Sequence, residues 1–245
     1  MLLPKVALYG GAFNPVHKGH LALAESLTRR FHLSRVVFVP TGRPPHRNLP
    51  EDPGCLHRLR MIELAIRGRT VWEPSDCECR NPEPSYTIRT LETLFPDTKP
   101  WLILGADAFL GFSAWHRFSE ILDRSHLMVA GRPGVLAGGI REAFSKVRPF
   151  GPFPEPDGSE WENWTRGLLN TVFLKGLDPG QFRIIAFVQA GTPDISSTVV
   201  REALQGWASG KGIPDRILPA PVKSYIVEKG LFGVTRTFRS PGGNI

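Results

Sequence analysis

Short, mostly apolar segments that alternate with helical patterns are the feature of this sequence that most constrains its fold. Five segments have the length of strands: KVALYG at 5–10, RVVFV at 35–39, WLILGAD at 101–107, HLMVAG at 126–131 and RIIAFV at 183–188. Strands that are apolar along their whole length are typical of parallel sheets covered by helices, with right-handed crossovers between neighbours. The pattern therefore predicts an α/β fold, a Rossmann-like parallel sheet with helices on both faces.

Helical patterns occupy the segments between these strands. We expect helices over 18–31 and 55–67, one through TIRTLETLF after an N-cap at Ser85, one that starts at Ser196 or Ser197, and one in PVKSYIVEKGLF. From 132 to about 180 the chain changes to Gly, Pro and short helical pieces such as EWENWTRGLLNTV, which indicates an insertion before the last strand. We therefore predict one domain over 1–234, with an insertion at about 135–180, and a C-terminal tail at 235–245.

Charge and composition argue against several classes of protein. The formal net charge is +7, but Lys and Arg are spread along the chain, so a nucleic-acid partner is not expected. A basic cleft also suits substrates that carry phosphates. No apolar run approaches the roughly 20 residues that span a bilayer. The N-terminal segment lacks the pattern of a secretory signal, so we expect a cytoplasmic protein with no membrane partner.

The cysteines give no sign of a metal site. Cys55, Cys77 and Cys79 are an odd number, and the last two lack a partner pair at zinc-ligand spacing. In the expected compartment they should be ordinary reduced thiols.

The loop after the first strand is the most informative candidate site, because ligands of such sheets bind beyond the carboxyl ends of the strands. Pro15 holds Asn14 extended before the helix, and His17 and His20 follow on one helical face, with Gly19 leaving room between them. Both rings can donate to phosphate oxygens. The turn before them can cradle a phosphate with its backbone amides, and consists of Gly10, Gly11, Ala12 and Phe13.

Two other interpretations apply to the histidine pair. One histidine could cap the helix while the other packs, and this alternative stays open. Zinc proteases place two histidines four residues apart with a glutamate between them, and neither the spacing nor Gly19 matches that arrangement. We therefore reject a zinc site.

A second constellation begins a later helix. Ser196, Ser197 and Thr198 are followed one turn later by Arg201. Helix amides, hydroxyls and a guanidinium can all point at one anion. The alternative is an N-cap with a solvated arginine, but the first motif favours a second phosphate-binding element.

Together, GGAFNPVHKGH and ISSTVVR resemble the HxGH nucleotidyltransferase superfamily, and specifically bacterial nicotinate-nucleotide adenylyltransferases. Other segments agree in order: VPTGRPPHR is similar to the family's VPxxxPPHK, EPSYTIRTL to PSYTxxTL, LILGADAF to IxGxDxF, and WHRFSEIL to WxxxxxI/L. HLMVAGRPG and SYIVEKGLF also fit. The resemblance covers about residues 4–134 and 183–233. Arg47 replaces the family's usual Lys, and the segment at 135–180 is longer than the family pattern.

The resemblance implies attack of the 5'-phosphate of nicotinate mononucleotide on the α-phosphorus of ATP, giving nicotinate adenine dinucleotide and pyrophosphate for NAD biosynthesis. It implies Mg²⁺ bound through the ATP phosphates and no metal held by the protein. His17, His20 and Arg201 would be catalytic, and ATP would contact the turn at 10–13, Ser196, Ser197, Thr198 and Arg201. Acceptor-binding residues would be Asn14, His46, Arg47, Tyr86, Thr87, Asp107, Trp115 and Arg132. For Asp107 the alternative is a helix N-cap, and for Trp115 it is packing in the core.

Alternatives of two kinds remain. Enzymes of the superfamily that use nicotinamide mononucleotide, pantetheine phosphate or a cytidylyl group share the first motif. A non-catalytic nucleotide- or RNA-binding relative is a different class, against which the intact His17, His20 and Arg201 argue. The sequence leaves open the choice between nicotinate and nicotinamide mononucleotide, and whether the chain forms a homo-oligomer.

Overall fold

A seven-stranded sheet forms the centre of the protein, in a computed structural model that describes residues 5–45, 48–131, 134–151, 153–167, 169, 171–176, 183–208 and 215–234. Its strand order is β3-β2-β1-β4-β5-β7-β6. Neighbouring strands are parallel except β6, which is antiparallel to β7 at the edge. The strands are β1 (Val6–Gly11), β2 (Arg35–Pro40), β3 (Trp72–Pro74), β4 (Trp101–Gly105), β5 (His126–Ala130), β6 (Thr171–Lys175) and β7 (Ile184–Val188).

Ten α-helices occur in the described part of the chain and cover both faces of the sheet, which confirms the predicted fold class. They are α1 (Lys18–Arg30), α2 (Cys55–Ile66), α3 (Cys77–Arg80), α4 (Thr87–Leu94), α5 (Ala106–Leu110), α6 (Phe118–Arg124), α7 (Ala137–Val147), α8 (Gly158–Thr165), α9 (Ser197–Ala208) and α10 (Ala220–Lys229).

Two apolar clusters, one on each face of the sheet, explain why the strands are apolar throughout. Alternate side chains of a strand point to opposite faces. Ala7 and Tyr9 of β1 therefore pack with α1, α2, α9 and α10, whereas Leu8 between them packs with α4, α6, α7 and α8. Because both faces are buried, neither set of positions in β1 is free to be polar.

The strand order places a crevice at the centre of the sheet. From β1 the chain continues to β2 on one side, while β4 lies on the other side of β1. The loops that leave β1 and β4 therefore diverge to opposite sides, and ligands bind at such a switch point. Gly10 and Gly11 end β1 and Gly105 ends β4, so the first motif lies at this crevice.

The structure corrects several local predictions. The pattern EWENWTRGLLNTV is not one helix, because α8 ends at Thr165 and Thr171 begins β6. Neither β3 nor β6 was predicted. Ser85 does not cap α4, whose N-cap is Tyr86. The hydroxyl of Ser85 instead accepts hydrogen bonds from the amides of Gly42 and Arg43. The fourth strand ends at Gly105, two residues earlier than predicted.

The expectation of three reduced thiols was wrong. A disulfide joins Cys55, the first residue of α2, to Cys79 in α3, with the two Cα atoms 5.3 Å apart. Cys77 is free. The two cysteines are 24 residues apart in the sequence, and this separation does not predict a disulfide. The pair forms because α2, in the crossover from β2 to β3, lies next to α3, which follows β3.

The predicted insertion supplies α7, α8 and the edge strand β6. The predicted tail at 235–245 lies outside the described residues. Among the residues that are described, no helix is both long and apolar enough to cross a membrane.

Candidate functional site

Two cavities open side by side at the crevice. The first, here called the histidine cavity, has a volume of about 210 Å³ and is lined by His17, His20, Asp107 and residues 192–195. The second, here called the tryptophan cavity, has a volume of about 230 Å³ and is lined by Thr87 and Trp115 among others. The cavities share Tyr9, Gly10, Gly11, Gly105 and Ala108. A molecule in one cavity can therefore reach a molecule in the other across the ends of β1 and β4.

The two histidines form one stacked unit at the start of α1. His17 is the N-cap and is 2% exposed, and its ring lies 3.7 Å from the ring of His20, centroid to centroid, at an angle of 28°. The backbone amide of His17 donates to Nδ1 of His20 over 3.2 Å. Because that nitrogen accepts, the proton of a neutral His20 ring is on Nε2. His20 can therefore donate a hydrogen bond from Nε2 to a ligand.

Gly19 allows close packing around this histidine pair. A Cβ at this position would lie 3.0 Å from Nδ1 of His17 and 3.3 Å from the carbonyl oxygen of Ile195. Both distances are shorter than ordinary van der Waals contact. The glycine thus lets α1 approach both the first histidine and the segment that precedes α9.

The structure brings the two predicted phosphate-binding motifs together. Ser197 donates to the carbonyl of Pro15 over 3.3 Å, and Nη1 of Arg201 donates to the carbonyl of Asn14 over 2.8 Å. Nη2 of Arg201 donates to Thr198 over 3.3 Å. Ser196 accepts from the amide of Val199 and so caps α9. None of these four residues lines the histidine cavity, but its lining includes Ile195, which directly precedes Ser196.

Arg58 was not predicted as a site residue, yet it connects the loops around both cavities. Its side chain is 0% exposed and donates to the carbonyl of Ala12 over 2.9 Å, the carbonyl of Thr41 over 2.7 Å, and Oδ1 of Asp52 over 2.8 Å. Ala12 and Thr41 line the tryptophan cavity. One arginine inside a helical pattern carries no signal of this role in the sequence, because its three partners come from loops.

A network of hydrogen bonds forms one wall of the tryptophan cavity. The amides of Gly42 and Arg43 donate to Ser85 over 3.0 and 2.9 Å. Glu78 accepts from the amide of Gly42 over 3.2 Å through Oε2 and from Thr90 over 2.6 Å through Oε1. The loop after β2 is thereby fixed to α3 and α4.

Substitution of Gly42 by alanine is expected to distort this wall. A Cβ at Gly42 would lie 2.1 Å from the backbone oxygen of Glu78, a distance that no rotamer change relieves. We expect G42A to lower the free energy of unfolding by about 1–3 kcal/mol, as for other overpacked sites, measured by chemical denaturation. G138A is the matched control, because a Cβ at Gly138 of α7 meets nothing within 4 Å. Equal stability of the two variants would contradict the prediction.

The predicted acceptor-binding residues that the structure describes do not all line one cavity. Thr87 and Trp115 line the tryptophan cavity. Asp107 instead lines the histidine cavity, in the first turn of α5. Tyr86 lies beside the tryptophan cavity, where its ring packs on His116 with centroids 4.3 Å apart.

Asn14 contacts another loop of the protein. It is buried, and its Nδ2 donates to the carbonyl of Pro50 over 2.7 Å, so it holds the loop before α2. Its contact with an acceptor stays a prediction. His46, Arg47 and Arg132 lie outside the described residues.

Comparison with known proteins gives concordant matches. Residues 8–203 match the family described as cytidylyltransferase-like. A probable nicotinate-nucleotide adenylyltransferase of Desulfatibacillum aliphaticivorans is 33% identical over 235 residues, which cover 93% of this chain and 99% of that protein. A nicotinate-nucleotide adenylyltransferase of Escherichia coli O6:H1 is 34% identical over 234 residues, covering 92% of this chain and 97% of that protein.

Among solved structures, the nicotinic acid mononucleotide adenylyltransferase of Plasmodium falciparum complexed with NaAD is similar, with a TM-score of 0.62. The match covers 95% of this chain and 99% of that chain at 15% sequence identity. A likeness at this identity supports the fold.

Proposed function

We propose, since this chain belongs to the nicotinate-nucleotide adenylyltransferases of the cytidylyltransferase-like family, that it transfers the adenylyl group of ATP to nicotinate mononucleotide. The products are nicotinate adenine dinucleotide and pyrophosphate, and the reaction belongs to NAD biosynthesis. The observation that carries the assignment to this site is the pair of cavities that meet at Gly10 and Gly11. ATP would occupy the histidine cavity and the acceptor the tryptophan cavity, so that the reacting phosphates meet over these glycines.

The triphosphate side would be held by the stacked histidines and the start of α9. Nδ1 of His20 accepts from the backbone amide of His17, so the Nε2 side of the ring would donate to the α-phosphate, with His17 beside it. The amides near Gly11 and Phe13 would complete the cradle. Arg201 uses one donor on Asn14 and one on Thr198, and a guanidinium has five, so it would retain donors for the β- and γ-phosphates, together with Ser197 and Thr198.

The acceptor side would be held by stacking and by a helix N-terminus. Trp115 would stack on the pyridine ring. Helix α4 begins at Thr87, which lines this cavity, and the free amides of a first helical turn attract a carboxylate. Direct contacts of Asn14, Tyr86 and Asp107 with the acceptor belong to the same proposal.

The transfer itself would need no covalent enzyme intermediate. The 5'-phosphate oxygen of the acceptor is already ionised at neutral pH, and pyrophosphate is a good leaving group, so no side chain has to take a proton from the nucleophile. The residues act by holding the attacking oxygen in line with the leaving oxygen and by neutralising charge that builds on the phosphates. His20 and Arg201 supply the donors for that charge.

Magnesium would enter as part of the substrate MgATP. In the described part of the chain, no three His, Cys, Asp or Glu side chains are grouped to hold a metal ion. Mg²⁺ is commonly bound through substrate phosphates and waters, where it would reduce the charge on the triphosphate. The cytoplasm is the compartment we propose for the reaction, since its highly charged substrates do not cross a bilayer unaided.

The proposal is tested by measuring pyrophosphate release from MgATP with nicotinate mononucleotide, nicotinamide mononucleotide or phosphopantetheine. Release with the first compound, at a kcat/KM well above that of the others, is expected. Release with another acceptor alone would retain the triphosphate site and reassign the tryptophan cavity. If no pyrophosphate were released with any of the three compounds, a nucleotide-binding protein without this activity would be favoured.

Replacement of Trp115 by alanine is expected to raise the KM for nicotinate mononucleotide about tenfold, since stacking of a base on an aromatic side chain contributes about 1–3 kcal/mol. The KM for ATP should change less than about twofold, because Trp115 lines only the tryptophan cavity of the two. W115F keeps an aromatic face and should recover most of the affinity. Equal effects of W115A on both KM values would contradict the assignment of the two cavities.

A further inference from the structure

The disulfide between Cys55 and Cys79 lies at the surface, next to the tryptophan cavity. Both cysteines are partly exposed and line an open cleft of about 330 Å³, together with Gly42, Arg43 and Arg80. A small thiol in solution can therefore reach the sulfurs. The two arginines would attract the thiolate anion that carries out thiol–disulfide exchange.

Glu78 connects this disulfide to the acceptor cavity. It lies between Cys77 and Cys79 in the sequence, and it lines both the open cleft and the tryptophan cavity. Its carboxylate accepts from the amide of Gly42 and from Thr90. The position of α3 therefore determines where this carboxylate lies. The carboxylate in turn holds the loop after β2, which forms one wall of the tryptophan cavity.

Besides these contacts, helix α3 packs against the apolar cluster on one face of the sheet through Cys77. It has four residues, and so short a helix does not persist without tertiary support. The hydrogen bonds that the described residues make at its start are local: the amide of Cys77 donates to Ser75, and the amide of Arg80 to the carbonyl of Asp76. The disulfide attaches the helix covalently to the start of α2.

We propose that Cys55 and Cys79 form a thiol–disulfide exchange site whose redox state sets the affinity of the acceptor cavity. The inference deepens the proposed function and rests on the tryptophan cavity being the acceptor site. With the disulfide closed, α3 holds Glu78 against Gly42 and the cavity wall is fixed. With the disulfide open, α3 is released, the wall loosens and the acceptor binds less tightly.

The reductant in this exchange is a dithiol. A thiolate of the dithiol attacks one of the two sulfurs, the bond between the cysteines breaks, and the departing cysteine sulfur takes up a proton. The second thiol of the reductant then attacks the mixed disulfide and leaves as part of a cyclic disulfide. In total, the protein disulfide gains two electrons and two protons to give two thiols, and the dithiol is oxidised by the same amount.

Two groups near the disulfide favour reversible exchange between the closed and the open form. Sγ of Cys55 lies 3.6 Å from the carbonyl oxygen of Pro40, so the reduced thiol has an acceptor at the end of β2. Burial raises the pKa of the Cys77 thiol, which keeps it protonated and slow to attack the adjacent disulfide. Cys77 thus does not compete for the pair.

The test uses the full chain after treatment with diamide or with dithiothreitol. Thiol titration under denaturing conditions should give one thiol in the first state and three in the second, because Cys77 alone of the three cysteines is free. We expect reduction to raise the KM for nicotinate mononucleotide about tenfold, equivalent to 1.4 kcal/mol, with the KM for ATP unchanged within about twofold. The double variant C55S/C79S should show the high KM after either treatment, and C77S should respond like the original chain.

Hydrogen exchange provides a readout that does not depend on the acceptor's identity. The amides of residues 41–43 and 77–90 should exchange faster after reduction, whereas those of β5 should not. Three thiols after diamide, or equal exchange and equal KM in both states, would overturn the inference. Faster exchange without turnover on any acceptor would contradict the proposed function and leave the exchange site supported.

Discussion

Replacement of His20 by alanine is expected to lower kcat about a thousandfold while leaving the protein folded. Removal of one donor that stabilises transition-state charge typically costs about a hundred- to a thousandfold in rate. His20 also stacks on His17, and its Nδ1 accepts from the amide of His17. The substitution therefore also removes two contacts that position His17. We therefore expect the upper end of that range. The ring is only partly buried, and its loss should leave the core intact.

The measurement is steady-state pyrophosphate release, accompanied by thermal unfolding followed by circular dichroism. H32A is the matched control, because His32 is an exposed histidine that follows α1 and lines neither cavity. H20N places a shorter side chain with an amide donor at the same position and should recover part of the rate. Near-normal turnover by folded H20A would remove His20 from the proposed mechanism.

The arrangement of the sheet could be predicted because it rests on local patterns. Each central strand is apolar on both faces, and each lies between helices whose apolar residues recur at helical spacing. The histidine pair could also be located, since a glycine turn after the first strand must lie at the carboxyl edge of the sheet. These inferences need only the chain direction and the period of each element.

The remaining features depend on contacts between distant segments. The edge strand β6 pairs antiparallel with β7, and its sequence resembles the end of a helix until that partner is known. Serine is a common N-cap residue, but the hydroxyl of Ser85 accepts hydrogen bonds from the amides of Gly42 and Arg43 in another loop. The disulfide and the role of Arg58 likewise become visible only when the loop after β2 is placed against α2 and α3.

Replacement of Arg58 by methionine is expected to lower the free energy of unfolding by about 3–5 kcal/mol, because the side chain is 0% exposed and each hydrogen bond from a charged group contributes about 1.5–3 kcal/mol. Methionine fills a similar volume but leaves the carbonyls of Ala12 and Thr41 and the carboxylate of Asp52 without this donor. Each buried acceptor left unsatisfied costs further free energy. Denaturation with urea measures the change.

R60M separates this role from a general effect of charge removal. Arg60 lies two residues further along α2, its side chain is 48% exposed, and it pairs with Glu63. We expect R60M to change the unfolding free energy by no more than about 0.5 kcal/mol, as is usual for exposed positions. R58K should be intermediate, because lysine keeps the charge but cannot donate in three fixed directions from a planar group. If R58M matched R60M in stability, the three hydrogen bonds of Arg58 would not hold the loops. Ala12 and Thr41 line the tryptophan cavity, so loss of their bonds to Arg58 should also raise the KM for the acceptor. If R58M were unstable but kept both KM values, Arg58 would stabilise the fold without positioning the site.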